Sequence, residues 1–383
     1  MRKIWVLLIL LGLPCAGFGQ RAVELFAQAK AETDPQKQID LLTQAVQRAP
    51  AFANAYHYRA DAYRSLGLYP QALADYSYTI KLRPKDPFRY YARALAYLDA
   101  NQPTLALADL NQAIALKPSH KPFYLARARA YLKMEKYENA ISDYEHGRTS
   151  FKNPQTLEMV PAYVHTYRYT KALQLLDKVP NPDAAECHYW RGRVYAGQNR
   201  VDEAISSFSK AINREEDFAA AYRYRANAFK EIGELEASLE DYTALLALQE
   251  DALFYNRRGL IYEELKQFEQ AKQDYTRAIE LNPSWAIPFN NRGFVRMHLK
   301  EWDGAKQDLE TAISLDNLAP TPYINLAGVY WLGKKDRKNA YANLDKALRR
   351  NFKDVEALYQ EEQKGWMFKG LNQTAQFRAL LYK

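Results

Sequence analysis

The sequence predicts an all-α chain organised as an α-α solenoid, an array of small helical hairpins. Three observations predict it. An aromatic residue returns at Tyr63, Tyr97, Tyr131, Tyr195, Phe229, Tyr262 and Tyr330, at one or two multiples of about 34 residues. Ala72, Ala106, Ala140, Ala204, Ala271, Ala305 and Ala340 keep the same step. The balance of 48% hydrophobic to 26% charged residues suits a folded chain that buries a core.

Residues 1–19 read as a cleaved secretory signal peptide. Arg2 and Lys3 precede an apolar run from Ile4 to Leu13, too short to cross a bilayer. Pro14 ends that run, and Gly17-Phe18-Gly19 places small residues before a cut at Gln20. Lipid attachment at Cys15 is the alternative. Cleavage lowers the formal net charge from +8 to +6 and leaves Cys187 as the sole cysteine, so packing alone must hold the mature chain together.

Residues 20–52 form a divergent first repeat, with Leu42, Ala45 and Pro50 marking its second helix. Three regular units follow over 53–154 and five more over 185–353. In each, an aromatic or histidine comes fourth (Tyr56, Tyr90, Tyr124, His188, Tyr222, Tyr255, Phe289, Tyr323). Eighth comes a small residue: Ala60, Ala94, Ala128, Gly192, Ala226, Gly259, Gly293 or Ala327. With an aromatic usually eleventh, the steps of four and three lie on one helical face. A small residue between two rings predicts close approach of a neighbouring helix. Gly67, Asn101 and Gly233 signal the turn between paired helices, and Pro50, Pro84, Pro118 and Pro283 end second helices.

Residues 155–184 are a degenerate short unit, keeping Ala162 and Ala172 among four prolines, with a plain loop as the alternative. Residues 354–383 read as C-terminal capping helices, because an array needs a cover for its last apolar face. Trp366, Phe368, Leu371, Phe377, Leu380 and Leu381 are available for it.

A charge ladder runs through the array. Arginine stands seventh in seven units (Arg59, Arg93, Arg127, Arg191, Arg225, Arg258, Arg292), and aspartate follows sixteen residues later in six. Those are Asp75, Asp109, Asp143, Asp241, Asp274 and Asp308, with Ser207 the exception. A pair recurring once per hairpin predicts a strut between helices or between hairpins rather than a site.

Chemistry would need a constellation that breaks the repeat. The sequence has no GxxxxGK[ST], GxSxG, HExxH or CxxC motif, and its six histidines are dispersed. Cys187-His188 is adjacent in sequence and therefore splayed by about 100° on a helix. No catalytic residue, metal ligand or cofactor is expected. Asn372-Gln373-Thr374 is a glycosylation sequon.

The pattern aromatic-x-x-x-Ala/Gly-x-x-Tyr, then Ala-x-x-x-Tyr/Phe/Leu-x-x-Ala, then Pro, resembles the tetratricopeptide repeat over roughly residues 20–353. That resemblance implies a superhelix whose first helices line a concave groove through places two, five, nine and twelve of each unit. Those places hold Tyr91, Arg129, Tyr189, Arg193, Arg223 and Asn227, then Asn256, Asn290 and Phe294. Asparagine can bond a peptide backbone as donor and acceptor, and arginine and tyrosine are favoured interface anchors. The family's clamp for a C-terminal carboxylate is only partly matched. Arg223 and Asn227 sit at its first pair of places, Asn256 is one residue off, and Ile287 replaces a basic residue.

A second surface is electrostatic: Lys334, Lys335, Arg337, Lys338, Lys346, Arg349, Arg350 and Lys353 form a basic patch relieved by Asp336 and Asp345. The expectation is a non-catalytic, exported, periplasmic or cell-envelope scaffold for a protein or extended peptide. No nucleic acid partner is expected. The alternative is an envelope protein or enzyme adaptor that docks to glycan, peptidoglycan or an anionic surface through the basic patch.

Overall fold

The computed structural model describes residues 15–148, 155–350 and Thr374. Residues 1–14, Lys353 and the expected cap at 354–383, Thr374 apart, lie outside the described residues. The chain forms two compact units, one ending at Asp183 and one starting at Ala184. No strand occurs among the described residues.

The first unit stacks four hairpins and a shorter one. They are α1 (Cys15–Ala31) with α2 (Pro35–Arg48), α3 (Ala53–Ser65) with α4 (Tyr69–Leu82), α5 (Pro87–Asp99) with α6 (Pro103–Leu116), and α7 (Lys121–Lys133) with α8 (Tyr137–Gly147). A single turn, α9 (Gln155–Glu158), then leads to α10 (Val160–His165) and α11 (Tyr169–Leu176), a hairpin of six- and eight-residue helices.

The second unit repeats the regular pattern. It holds α12 (Ala185–Gly197) with α13 (Val201–Arg214), α14 (Ala219–Glu231) with α15 (Leu235–Leu248), α16 (Ala252–Glu264) with α17 (Phe268–Leu281), and α18 (Ala286–His298) with α19 (Trp302–Leu315). Last come α20 (Thr321–Gly328), a π-helical turn (Val329–Gly333) and α21 (Arg337–Arg349).

One turn geometry closes the hairpins. Gly67, Asn101, Glu135, Asn199, Gly233, Lys266 and Lys300 all take positive φ. The next N–H reaches back to the eleventh-place carbonyl, as in Leu68 to Tyr63 and Gln102 to Tyr97 (2.9 and 2.7 Å). This is a Schellman cap, which satisfies carbonyls that the helix end leaves open. Glycine adopts the conformation without strain at Gly67 and Gly233. Aspartate opens several helices: Asp34, Asp86 and Asp251 accept from Gln36, Phe88 and Leu253 N–H groups.

The small eighth-place residues permit the predicted close approach. Ala60, Ala94, Ala128 and Ala226 are buried. A Cβ added at Gly259 would lie 2.7 Å from the Tyr275 ring, and one at Gly293 would lie 2.8 Å from Leu309. At Gly192 it would overlap the Phe208 ring. Each contact is between a first helix and the second helix of the same hairpin.

Successive first helices also touch one another: α5 with α7, α12 with α14, and α18 with α20. Among the described residues, successive second helices touch less than these three pairs do. Within each unit, the first-helix face is therefore the tighter side of the stack.

Candidate functional site

The charge ladder is structural, and its geometry explains the sequence period. Each of six arginines grips its own aspartate with two parallel bonds. Arg258 Nε and Nη2 donate to Asp274 Oδ2 and Oδ1 at 2.8 and 2.7 Å. Arg59–Asp75, Arg93–Asp109, Arg127–Asp143, Arg225–Asp241 and Arg292–Asp308 repeat the fork. The third donor, Nη1, reaches the preceding hairpin: Thr43, Ser77, Asn111, Ser209, Thr243 and Thr276 accept in turn. Fourth- and eleventh-place aromatics flank the guanidinium of Arg59, Arg127, Arg225 and Arg258, and one ring does so at Arg93 and Arg292; Tyr255 and Tyr262 lie 5.6 and 5.8 Å from that of Arg258. One arginine thus joins three helices, and the rings are its sleeve.

Burial pushes the Asp241 and Asp274 carboxyls above the usual range despite the facing arginines. Desolvation outweighs pairing at these two carboxyls, and a buried pair of this kind adds little net stability. Where Ser207 replaces aspartate, its Oγ donates to the Glu203 carbonyl (2.7 Å). A cleft of about 320 Å³ lies beside His188, Arg191 and Lys210.

In the first unit, the first-helix face neutralises its own charge. Arg64 meets Asp99 at 2.5 Å, and Arg89 meets Asp86 at 3.1 Å and Asn54 at 2.7 Å. Arg129, expected to await a partner, is held by Glu158 at 3.1 Å, a residue of the irregular α9. Tyr91 is half-buried against Phe123, 5.1 Å away, and burial raises its phenol pKa.

The second unit's face divides in two. Toward its C-terminal end the asparagines bond each other. Asn325 Nδ2 donates to Asn290 Oδ1 (3.0 Å), Asn290 to Asn291 (3.3 Å), and Asn291 to Asn256 (3.1 Å). Asn256 is only 4% exposed. The expectation that Asn256 meets a peptide is corrected: its carbonyl is spent on Asn291 and its amide lies within the stack. Asn290 is half-buried and engaged on both sides. Phe294 packs into the core around Leu309 and Val329.

Toward its N-terminal end the face differs. Tyr189, expected to project, is 8% exposed and packs among Phe208, Phe218 and Tyr224. Its hydroxyl accepts from Arg193 Nη1 at 3.0 Å. The Tyr224 ring carries two guanidiniums, Arg193 at 4.2 Å and Arg223 at 4.9 Å. Asn227 is exposed, and its Oδ1 accepts from the Tyr242 hydroxyl at 2.9 Å. The Tyr242 phenol lies within the field of Arg223 and of exposed Arg257.

The basic patch is less coherent than its sequence suggests. Lys334 pairs with Asp303, and Arg349 pairs with Asp345 at 2.7 Å. Arg350 turns inward, stacking 4.0 Å over Tyr323 and donating to the Asn317 and Lys346 carbonyls. Arg337 lies 5.3 Å over Trp331. Lys335, Lys338 and Lys346 remain as exposed cations of the patch, and Lys353 lies outside the described residues.

Among the described residues no group of three His, Cys, Asp or Glu is placed to hold a metal. No helix among them is long and apolar enough to cross a membrane. Cys187 is buried, and burial raises its thiol pKa. Thr374, the sequon threonine, shares a hydrogen bond with the Tyr341 hydroxyl at 2.8 Å.

Comparison with known proteins places these hairpins in a family. Residues 39–87, 91–146, 185–218 and 252–284 match tetratricopeptide repeat families. Hsp70-Hsp90 organizing protein 3 of Arabidopsis thaliana is 27% identical over 128 residues, which are 33% of this chain and 22% of that protein. Among solved structures, MamA aligns over 43% of this chain and 96% of its own, at 22% identity and a TM-score of 0.41. YrrB, described as a TPR protein with an unusual peptide-binding site, aligns over 51% of this chain and 97% of its own. Its identity is 20% and its TM-score 0.42. With the matched repeats falling on the observed hairpins, the chain is a tetratricopeptide-repeat protein.

Proposed function

We propose that this chain is a non-catalytic scaffold of the cell envelope or periplasm, holding a protein or extended peptide on the first-helix face of its second unit. One observation carries the reading. Among the described residues, Arg193 and Arg223 stand on that face without a carboxylate, whereas Arg64, Arg89 and Arg129 of the first unit's face are paired. Unspent charge held on a rigid aromatic is what an interface anchor needs. The likeness to an organizing protein named for Hsp70 and Hsp90 supports a protein as the partner. The Arg2-Lys3 and Ile4–Leu13 segment supports export.

Two measurements test the proposal. A photo-crosslinking residue at exposed Asn227 should capture a protein in the native host, and one at exposed Glu240 on α15 should not. Equal capture from both positions contradicts the face assignment. N-terminal sequencing of the mature chain should begin at Gln20; an intact Met1 contradicts export by signal cleavage.

A further inference from the structure

Arg193 and Arg129 occupy the same ninth place of their hairpins, yet their surroundings differ. Arg129 is met by Glu158. Arg193 is met by a phenol and three rings: Tyr189, Trp190 and Tyr224. Arg223 has the Tyr224 ring and no carboxylate among the described residues. Both guanidiniums lie on one tyrosine, so their separation cannot exceed the sum of 4.2 and 4.9 Å. Arg257 is exposed on the next first helix, and it and Arg223 both act electrostatically on the Tyr242 phenol.

A half-buried guanidinium that has lost part of its water gains most from an ionised acceptor. In an extended chain, alternate side chains share one side and stand about 6.6 Å apart, within the span of the two guanidiniums. The exposed Asn227 amide lies four residues beyond Arg223 on the same helix, and its N–H groups can donate to a backbone carbonyl.

We infer that this face binds an internal acidic segment of a partner protein in extended form, with alternate carboxylates seated on Arg193 and Arg223 across Tyr224. The inference rests on the first-helix face being the binding face and adds the chemistry of what binds there. A free C-terminal carboxylate is not required. The place where a clamp would need a second basic side chain holds Ile287, and Asn256 is buried in the asparagine relay.

The test uses the full mature chain and fluorescent peptides followed by anisotropy. The probes are an amidated Glu-Ser-Glu-Ser-Glu peptide, its Gln counterpart, its Lys counterpart, and a single-stranded oligonucleotide of equal charge. The acidic peptide should bind, the Gln and Lys peptides should not, and affinity should fall as salt rises to about 0.3 M. R193Q/R223Q should weaken the acidic peptide by roughly tenfold or more, and R223Q alone by several-fold. R223Q removes no hydrogen bond among the described residues, so it keeps the test meaningful if loss of Arg193 disturbs folding. The set K338Q/K346Q/R349Q should leave binding unchanged.

Three results would overturn the inference: equal binding of the Gln peptide, loss of binding only in the K338Q/K346Q/R349Q set, or tighter binding of the oligonucleotide. Failure of the acidic probe while Asn227 still crosslinks a protein would refute the acidic chemistry and leave the binding face standing.

Discussion

Replacing Arg258 by leucine should damage the fold more than replacing both members of its pair. In the native chain Arg258 binds Asp274 at 2.8 and 2.7 Å and Thr243 at 3.2 Å, and Asp274 is 5% exposed. R258L leaves a buried carboxylate with no counter-charge, which costs about 3–5 kcal/mol. R258L/D274L removes the stranded charge and fills the space with carbon, so at least half of that loss should return. Native-state hydrogen exchange in α16 and α17 is the assay, because it reads local opening where an array need not unfold as one unit. The sign with pH is also fixed. Burial already raises the Asp274 carboxyl, and loss of Arg258 removes what lowers it. A group whose folded pKa is raised gives stability that is full below its unfolded value, about 3.9, and is lost as pH rises through the folded value. The R258L penalty should therefore shrink as pH falls toward 4. A double variant as unstable as the sum of the two single variants, or a penalty independent of pH, would refute this account of the ladder.

Other substitutions probe the packing and the relay. G259A should cost about 1–3 kcal/mol by overpacking against Tyr275, with Y275L restoring part of it, as read by thermal melts of single and double variants. Glu263, raised by burial and bonded by the Tyr275 hydroxyl at 2.9 Å, should be improved by glutamine at neutral pH, where its charge opposes folding. That gain should fade as pH drops through the folded pKa toward the unfolded value, and titration of melting temperature for E263Q checks it. N256A should lower stability by about 1–2 kcal/mol while leaving acidic-peptide affinity within twofold, because its buried side-chain carbonyl accepts from Asn291 and not from a ligand.

What could be read from sequence follows a physical division. The arginine–aspartate struts were visible because both partners recur at one offset, and the offset is set by the hairpin itself. Even the third bond had a signal: Thr43, Ser77, Asn111, Ser209 and Thr276 each stand sixteen residues before their arginine. Partners outside the repeat left no such trace. Glu158 comes from the irregular stretch after α8, so no periodicity could join it to Arg129. The asparagine relay was hidden for another reason. Asn256, Asn290, Asn291 and Asn325 occupy fifth and sixth places, where a side chain can face a ligand or lean toward the adjacent first helix. Only the rotamer decides, and here the neighbouring amides bond one another. Tyr189 likewise held a groove position but met a cluster of rings large enough to enclose it.

A repeated hairpin that settles its own electrostatics makes the exceptions informative. Six arginines are each bound to two carboxylate oxygens and one acceptor from the hairpin before. The charge of such arginines is already met by a carboxylate, so a ligand anion would have to displace bonds made at 2.6–3.2 Å. Binding energy must come from groups the array leaves unsatisfied, and the rigidity of the array lowers the entropy cost of using them. On the first unit's face the arginines of α3, α5 and α7 fail that criterion through Asp99, Asp86 and Glu158. Arg193 and Arg223 meet it, held by a ring that orients them without neutralising them. The struts and the candidate anchors are thus the same residue type under two conditions, and the presence of a carboxylate separates scaffold from surface.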